Sequence, residues 1–452
     1  MSGLSAVQLG AVRTLVQSAP DTALRSLARA LTGASGGAMT EIRDLVAGEE
    51  SGRAVRAAVF APVLPMFGAR ADGVTGLTFP RRALGALWSA LKIDQPDLVA
   101  TVEQACRDWD AETPPPESFD RACAAAAEIL RRRPQDIFRA GEADARAAEA
   151  LAACLDLAPV ARPALARLGE WLGRATDERI AGLKLTFRDA DAIAPDATPR
   201  LLEMLMAHVG DASLILRLIA MLMDHRPAER YVASSELASF GERLLDDAEA
   251  RIGRIKAFQP QAGPETARAA AQDVAAVCAT FAEFEQNILL SKDGPWGSRV
   301  VAGKRALAQA VETRLREVEA AVEQALPLQV VRLHGRMTRQ APKLAADPDE
   351  RAVVKARALT TFLDETRSSA AVGGYGALRN QIAEKTADRL DKYAEEVLLL
   401  INGGEAGDEE RARAHLELAA EFLGLAADPR AAQIVRRRAA VAGPAQPSQD
   451  VA

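Results

Sequence analysis

Apolar residues recur at spacings of three and four along most of the chain, and this pattern is typical of helices with one buried face. The pattern is clearest over residues 298–326 and 377–401. Proline and glycine divide the chain into helices that are short before residue 190 and longer after it. The sequence therefore predicts an all-α protein, a multi-helix array with short N-terminal helices and longer antiparallel C-terminal helices. Either a bundle or an irregular solenoid accommodates this arrangement.

Pro195 and Pro199 mark the point at which helix length changes. We expect an N-terminal helical domain over residues 1–190 and a C-terminal long-helix domain over residues 198–442. Residues 443–452 are rich in proline, glutamine and serine, so they are expected to form a disordered tail.

Two segments depart from the helical pattern. Residues 60–80 contain Pro62 and Pro65, which exclude a continuous helix, and residues 74–79 alternate enough to allow one short strand. Residues 327–342 lie between prolines, and there the sequence predicts a short helix.

The composition favours a helical core without a strong electrostatic field. Hydrophobic residues make up 49% of the chain but aromatic residues only 4%, and much of the apolar content is alanine. The formal net charge is −6, so the sequence carries no strong nucleic-acid signal. Arginine far outnumbers lysine, as in proteins of GC-rich bacterial genomes. The arginine runs 131–133 and 436–438 lie at predicted helix ends, where cations complement the helix dipole.

The cysteines and the hydropathy pattern indicate a cytoplasmic protein. The four cysteines form no short pair of the disulfide or metal-binding type, which favours a reducing compartment. No run of about 18 apolar residues is present, so no transmembrane segment is predicted.

Two glycine-rich motifs resemble phosphate-binding loops only in part. Five residues rather than four separate Gly297 from Gly303, and Arg305 follows Lys304 where a P-loop has serine or threonine. A loop that leads into a helix N-terminus explains this motif better. Residues 373–376 predict a turn between helices, with a possible anion contact at the nearby Arg379.

The histidines give one candidate site for chemistry. No pair has the helical spacing of a zinc site, and no cofactor or metal is predicted. However, His208 and His225 flank an apolar helical hairpin, and Asp211 and Asp224 lie beside them in sequence. A helical enzyme or a regulator that binds a small molecule in a pocket near His208 and His225 is therefore one hypothesis.

Two apolar segments are candidates for partner binding. Residues 201–223 leave hardly any polar face, so they form either a buried core or a methionine-lined groove for partner helices. Residues 60–67 form either a plug beneath the N-terminal helices or an exposed apolar loop. The candidate partner-binding residues are Phe60, Leu64, Met66, Phe67, Met204, Met206, Met221 and Met223.

The absence of a recognisable catalytic motif, together with these apolar helices, favours a non-enzymatic role. The leading hypothesis is a helical scaffold or adaptor that binds another protein through apolar helix faces. The partner is expected to be another protein, and a homo-oligomer is compatible with the same faces.

Overall fold

The protein is helical almost throughout, and the predicted all-α fold is confirmed. The computed structural model describes residues 5–33, 36–110, 112–138, 142–223, 225–332 and 338–443. The first ten helices are α1 (Ala6–Ser18), α2 (Asp21–Leu31), α3 (Gly37–Val59), α4 (Arg81–Asp94), α5 (Pro96–Asp108), α6 (Glu117–Arg132), α7 (Glu142–Asp156), α8 (Ala158–Trp171), α9 (Asp177–Asp191) and α10 (Ala197–His208). The others are α11 (Ile215–Leu222), α12 (Glu229–Ala233), α13 (Ala238–Ala257), α14 (Pro264–Asn287), α15 (Pro295–Leu315), α16 (Val318–Ala325), α17 (Glu350–Glu365), α18 (Gly376–Asn402), α19 (Glu409–Ala426) and α20 (Pro429–Val441).

The predicted helix over residues 327–342 is wrong. Strands β1 (Leu328–Arg332) and β2 (Thr338–Pro342) form an antiparallel hairpin there, and no other sheet occurs in the described residues. The β-branched pair Val330 and Val331 favours an extended backbone, and a proline at each end prevents a helix from continuing.

The short strand allowed at residues 74–79 does not form. The backbone there is held by other means: Phe79 donates its amide hydrogen to the Met66 carbonyl (2.7 Å), and Leu77 donates to the Glu203 carboxylate (3.0 Å). The Glu203 carboxylate and the Met66 carbonyl thus accept the hydrogen bonds that a neighbouring strand would otherwise accept.

The chain divides into two compact units, Met1–His225 and Arg226–Ala452. Helices α9 and α10, which flank the predicted boundary at residues 190–198, both lie in the first unit and pack against each other. The predicted domains over residues 1–190 and 198–442 stay a prediction. From residue 444 onward, the predicted disordered tail lies outside the described residues.

In the first unit, the irregular segment 60–80 is held on the C-terminal end of α10 by polar contacts. Arg70 donates to the carbonyls of Met206 and of Val209 (3.0 Å) and forms an ion pair with Asp72 (2.5 Å). Asp72 in turn accepts a hydrogen bond from the amide of Ala212 (2.9 Å). These contacts fix a segment whose only regular structure, among its described residues, is one turn of 3-10 helix at Leu64–Met66.

In the second unit, the glycine-rich start of α15 binds a carboxylate of the same chain. Glu229 is buried and accepts hydrogen bonds from the amides of Ser291 (2.8 Å), Trp296 (2.7 Å) and Gly297 (3.3 Å). A Cβ atom at Gly294 would lie 2.2 Å from a Glu229 oxygen, so a larger residue there would displace the Glu229 carboxylate from these amides. The motif that partly resembles a phosphate loop is thus an anion-binding helix N-terminus, and its anion is Glu229.

We expect the substitution Glu229→Ala to destabilise the protein by about 3 kcal/mol, because it leaves buried amide donors at the start of α15 without an acceptor. Glu229→Gln should cost less, since one oxygen remains. Urea titration followed by circular dichroism measures the free energy of unfolding. The exposed Glu236 provides the matched control, and equal effects of Glu229→Ala and Glu236→Ala would contradict this role.

Arginine side chains from other helices or from loops bind carbonyls at the C-terminal ends of helices. Arg162 of α8 is one well-buried example, with its side chain 9% exposed. It donates to the carbonyls of Ala58 (3.0 Å) and Val59 (2.8 Å) at the end of α3 and to the Asp120 carboxylate (3.0 Å). The other pairs of arginine and carbonyl are Arg53–Val16, Arg70–Met206, Arg217–Leu172, Arg226–Glu285, Arg314–Lys256, Arg367–Ala427, Arg379–Leu363 and Arg413–Ala442.

Replacing Arg162 by methionine should lower the free energy of unfolding by about 3 kcal/mol, because two helix-end carbonyls and Asp120 lose a buried donor. Arg162→Lys should recover only part of this loss, since one ammonium group cannot reach all three acceptors in the geometry of a guanidinium. Arg121→Met, at an exposed position of α6, is the control in the same urea titration. A loss no larger than that of the control would refute the capping role of Arg162.

Candidate functional site

The apolar segment 60–67 is a buried plug in the first unit. Phe60, Met66 and Phe67 are buried and Leu64 is half-buried. The ring of Phe60 meets Trp88 edge-on, with 6.1 Å between the ring centroids. Of the two alternatives left open by the sequence, the structure therefore shows the plug.

Helices α10 and α11 form part of the core of the same unit. Met204, Met206 and Met221 are buried, and Met223 is half-buried. The sequence correctly limits residues 201–223 to core or groove, and the structure places them in the core. Seven further leucine and isoleucine side chains of the hairpin, at positions 201, 202, 205, 215, 216, 218 and 219, are completely buried.

Of the four residues of the predicted pocket, the structure describes His208, Asp211 and His225, and His208 alone lines a cleft. His208 donates a hydrogen bond from Nε2 to the Pro62 carbonyl (3.1 Å), and Asp211 accepts hydrogen bonds from Ser213. His225 is exposed and has a left-handed backbone (φ 71°), while Asp224 lies outside the described residues.

A shallow cleft of about 390 Å³ lies beside His208 in the first unit. His208 is the only ionisable side chain among the residues that line it. Burial lowers the pKa of His208, and hydrogen bonding to the backbone at residues 61–62 opposes this effect. The apolar lining consists of Leu165, Leu168, Gly169, Leu172, Val209, Gly210 and Leu214.

The predicted anion contact, Arg379, points into the second unit. Its side chain is only 6% exposed, and it donates to the Leu363 carbonyl (3.2 Å) and to the Asn380 side chain (3.3 Å). Burial lowers its pKa, and the neighbouring Arg367 adds to this effect. Arg379 thus binds the C-terminal end of α17, and it does not line the cleft beside His208.

A second cleft, of about 380 Å³, is rich in arginine but also in carboxylates. It lies in the second unit, between the N-terminal ends of α14 and α20 and the helices α17 and α19. Arg357 forms a bidentate pair with Glu421 (2.5 and 2.8 Å), and Arg436 pairs with Glu417 (2.6 Å). These cations are therefore already neutralised by acidic groups of the same unit.

The remaining buried ionisable groups do not form a reactive cluster. Burial raises the pKa of Cys123 and Cys154 to about 12 and that of Cys278 to about 11, so these thiols are poor nucleophiles. Within the part of the chain that the structure describes, no three histidine, cysteine or acidic side chains meet as metal ligands do. Nor is any described helix long and apolar enough to cross a membrane.

The outward face of α1 is the apolar surface that sequence reasoning missed. Val7 is 83% exposed and Leu15 is 69% exposed, and Ala11 lies between them on the same face. Arg13 is the only charged residue of the helix. The opposite face carries Val16, which is buried against α2 and α3. Apolar residues on two faces of one short helix are a signal visible in the sequence, but the sequence does not show which face is covered.

Comparison with known proteins adds no assignment, because no family model, curated protein or solved structure matches this chain.

His415 is a buried histidine in the second unit that is held in its neutral form. Its Nδ1 atom lies 2.9 Å from the Tyr393 hydroxyl, and its Nε2 atom lies 3.3 Å from the Ala346 carbonyl. Because Ala346 can only accept, Nε2 carries the hydrogen and Nδ1 accepts from Tyr393. Burial is the main cause that lowers the pKa of His415 below its usual value of 6.5, and the nearby Arg411 adds to this effect.

The lowered pKa of His415 predicts a loss of stability in acid. As the pH falls below about 6.5, the unfolded chain binds a proton at this position before the folded chain does, so the unfolded state gains stability. His415→Gln keeps a polar side chain but removes this titration. We expect the difference in free energy of unfolding between pH 7.5 and pH 5.5 to be smaller in the variant than in the wild type. Identical differences, measured by urea titration at both pH values, would refute a neutral buried His415.

Proposed function

We propose that this protein is a non-enzymatic helical scaffold or adaptor that binds another protein through the outward face of α1. The observation that carries this proposal is the exposure of Val7 and Leu15, together with Ala11, on a helix with a single charged residue. An exposed apolar surface without charged side chains is typical of protein interaction sites.

The packing of the N-terminal helices supports the proposal. Val16, Leu24, Leu31 and Val46 form a small aliphatic core cluster of α1, α2 and α3, without an aromatic side chain. Each Å² of apolar surface removed from water contributes about 25 cal/mol, so a small aliphatic core leaves these helices with modest stability. A partner that covers Val7 and Leu15 would bury more apolar surface on helices whose own core is small.

The shape and charge of the face define the class of partner. Gly10 has open space around its Cα atom, and Ala11 is small, so the backbone of a partner helix can approach α1 closely. The face has no charge to pair with an acidic or basic ligand. An apolar helix face of another protein therefore fits best, and a second copy of this chain is an alternative outcome of the experiment.

The cysteines support the cytoplasmic location that the sequence predicts. Cys106, Cys123, Cys154 and Cys278 are all free thiols, as is usual for proteins of a reducing compartment.

The double substitution Val7→Glu and Leu15→Glu should abolish partner binding without a large loss of stability, because both side chains are exposed in the free protein. Affinity capture from the source cell, quantified by mass spectrometry for wild type and variant, measures the loss. Size-exclusion chromatography with light scattering shows whether the partner is a second copy.

Ile93→Glu is the matched control, since Ile93 is 78% exposed on α4 and lies next to Lys92. Proteins that bind through α1 should be retained by Ile93→Glu and lost by the double variant. If both variants retain the same proteins and the same oligomeric state as the wild type, the α1 face is not an interface.

A further inference from the structure

Strand β1 has one edge that no other strand of the described residues covers. Its register pairs Leu328 with Pro342 and Val330 with Gln340, and the amide of Lys343 donates to the Pro327 carbonyl (3.0 Å). In an antiparallel pair, hydrogen-bonded and non-bonded residue pairs alternate. Because the pair 327–343 is hydrogen-bonded, the backbone groups of residues 328, 330 and 332 point away from β2. Three residues therefore present amides and carbonyls along an open edge.

This edge is exposed and has β-forming side chains. Val330 is 66% exposed and Val331 is 39% exposed. Helix α18 packs against β2, and the residues of β1 after Leu328 are all exposed. Proteins usually protect such edges with inward-pointing charges, bulges or a covering element, since an open edge accepts a further strand. The described residues around β1 provide no such cover.

The hairpin is basic in a protein whose net charge is −6. No acidic residue occurs between Glu323 and Asp347 in the sequence. Arg339 forms an ion pair with Glu396, whereas Arg332 and Lys343 are exposed and make no ion pair among the described residues. Arg332 and Lys343 thus lie beside the open edge and are available to form ion pairs with an acidic partner.

We propose that β1 binds an extended, acidic segment of another protein by strand addition. The backbone groups of residues 328, 330 and 332 would pair with the added strand, Val330 would contact its β-branched side chains, and Arg332 would bind its carboxylates. This interface lies in the second unit and is independent of the proposed α1 interface in the first.

Charge and side-chain chemistry favour this occupant over two others. A second copy of the chain would bring one basic hairpin against another, and like charges repel. Single-stranded nucleic acid is usually bound by aromatic side chains that stack on bases, and residues 327–346 contain no aromatic residue except His334.

The proposal is tested with a fluorescein-labelled peptide of four Val-Glu repeats, whose binding to the full-length protein is followed by fluorescence anisotropy. We expect saturable binding that weakens as the NaCl concentration rises. A peptide of four Val-Lys repeats should bind at least tenfold more weakly. Absence of saturable binding of the Val-Glu peptide at 1 mM protein, or equal binding of the two peptides, would overturn the proposal.

Matched substitutions in β1 separate strand addition from charge attraction alone. Val330→Pro removes an amide that faces the open edge and leaves the ladder to β2 intact, so binding should fall at least tenfold. Val330→Thr keeps the amide and should bind within twofold of the wild type. Arg332→Glu should weaken binding and reduce its dependence on salt. If Val330→Pro binds as the wild type does while the hairpin remains folded, as judged by circular dichroism, the edge is not the site.

Two further measurements keep this proposal distinct from the others. The double variant at Val7 and Leu15 should bind the Val-Glu peptide as the wild type does, so failure of the α1 proposal leaves this one intact. A labelled oligothymidylate is the probe for nucleic acid. If it binds more tightly than the Val-Glu peptide and Val330→Pro has no effect on it, the basic hairpin is a nucleic-acid site and strand addition is refuted.

Discussion

The structure depends on satisfying the carbonyls at the C-terminal ends of its helices. The last four carbonyls of each α-helix have no partner within the helix, and a protein with about twenty helices has many such groups. An arginine from elsewhere in the chain supplies the donor in nine cases, and in six of them that arginine lies in another helix; Arg162 on the end of α3 is one of these. The planar guanidinium group of Arg162 reaches two carbonyls and a carboxylate at once, so this contact fixes both the end of α3 and the position of α8 beside it.

The amides at helix N-termini have the same requirement for a partner, and this explains why Glu229 is buried. Glu229 satisfies amides at the start of α15, as arginines satisfy carbonyls elsewhere. Arg379, which suggests an anion contact in the sequence, instead donates from Nε to a backbone carbonyl of the protein itself. The excess of arginine over lysine, which the composition alone attributes to the genome, has a structural use here. A core rich in alanine buries little apolar area per residue. Polar contacts at helix ends therefore contribute more to determining which helices pack together.

Helical periodicity predicted most elements, and its failures have physical causes. Residues 327–342 contain a β-branched pair between prolines, and the pairing of two strands that stabilises them is not visible in a local pattern. The apolar segments 60–67 and 201–223 were recognised, but whether they are covered depends on residues distant in sequence, such as Arg70 and Trp88. For α1 the sequence shows apolar residues on two faces, and only the positions of α2 and α3 decide that Val7 and Leu15 remain outside.

The two surfaces that remain open differ in the physical interaction that they leave unsatisfied. On the proposal for α1, association is driven by removal of Val7 and Leu15 from water and depends little on salt. On the proposal for β1, association uses backbone hydrogen bonds beside exposed cations, so it is directional and weakens with salt. Because the two surfaces call for different ligand chemistry, an apolar helix face for α1 and an extended acidic segment for β1, neither proposal depends on the other.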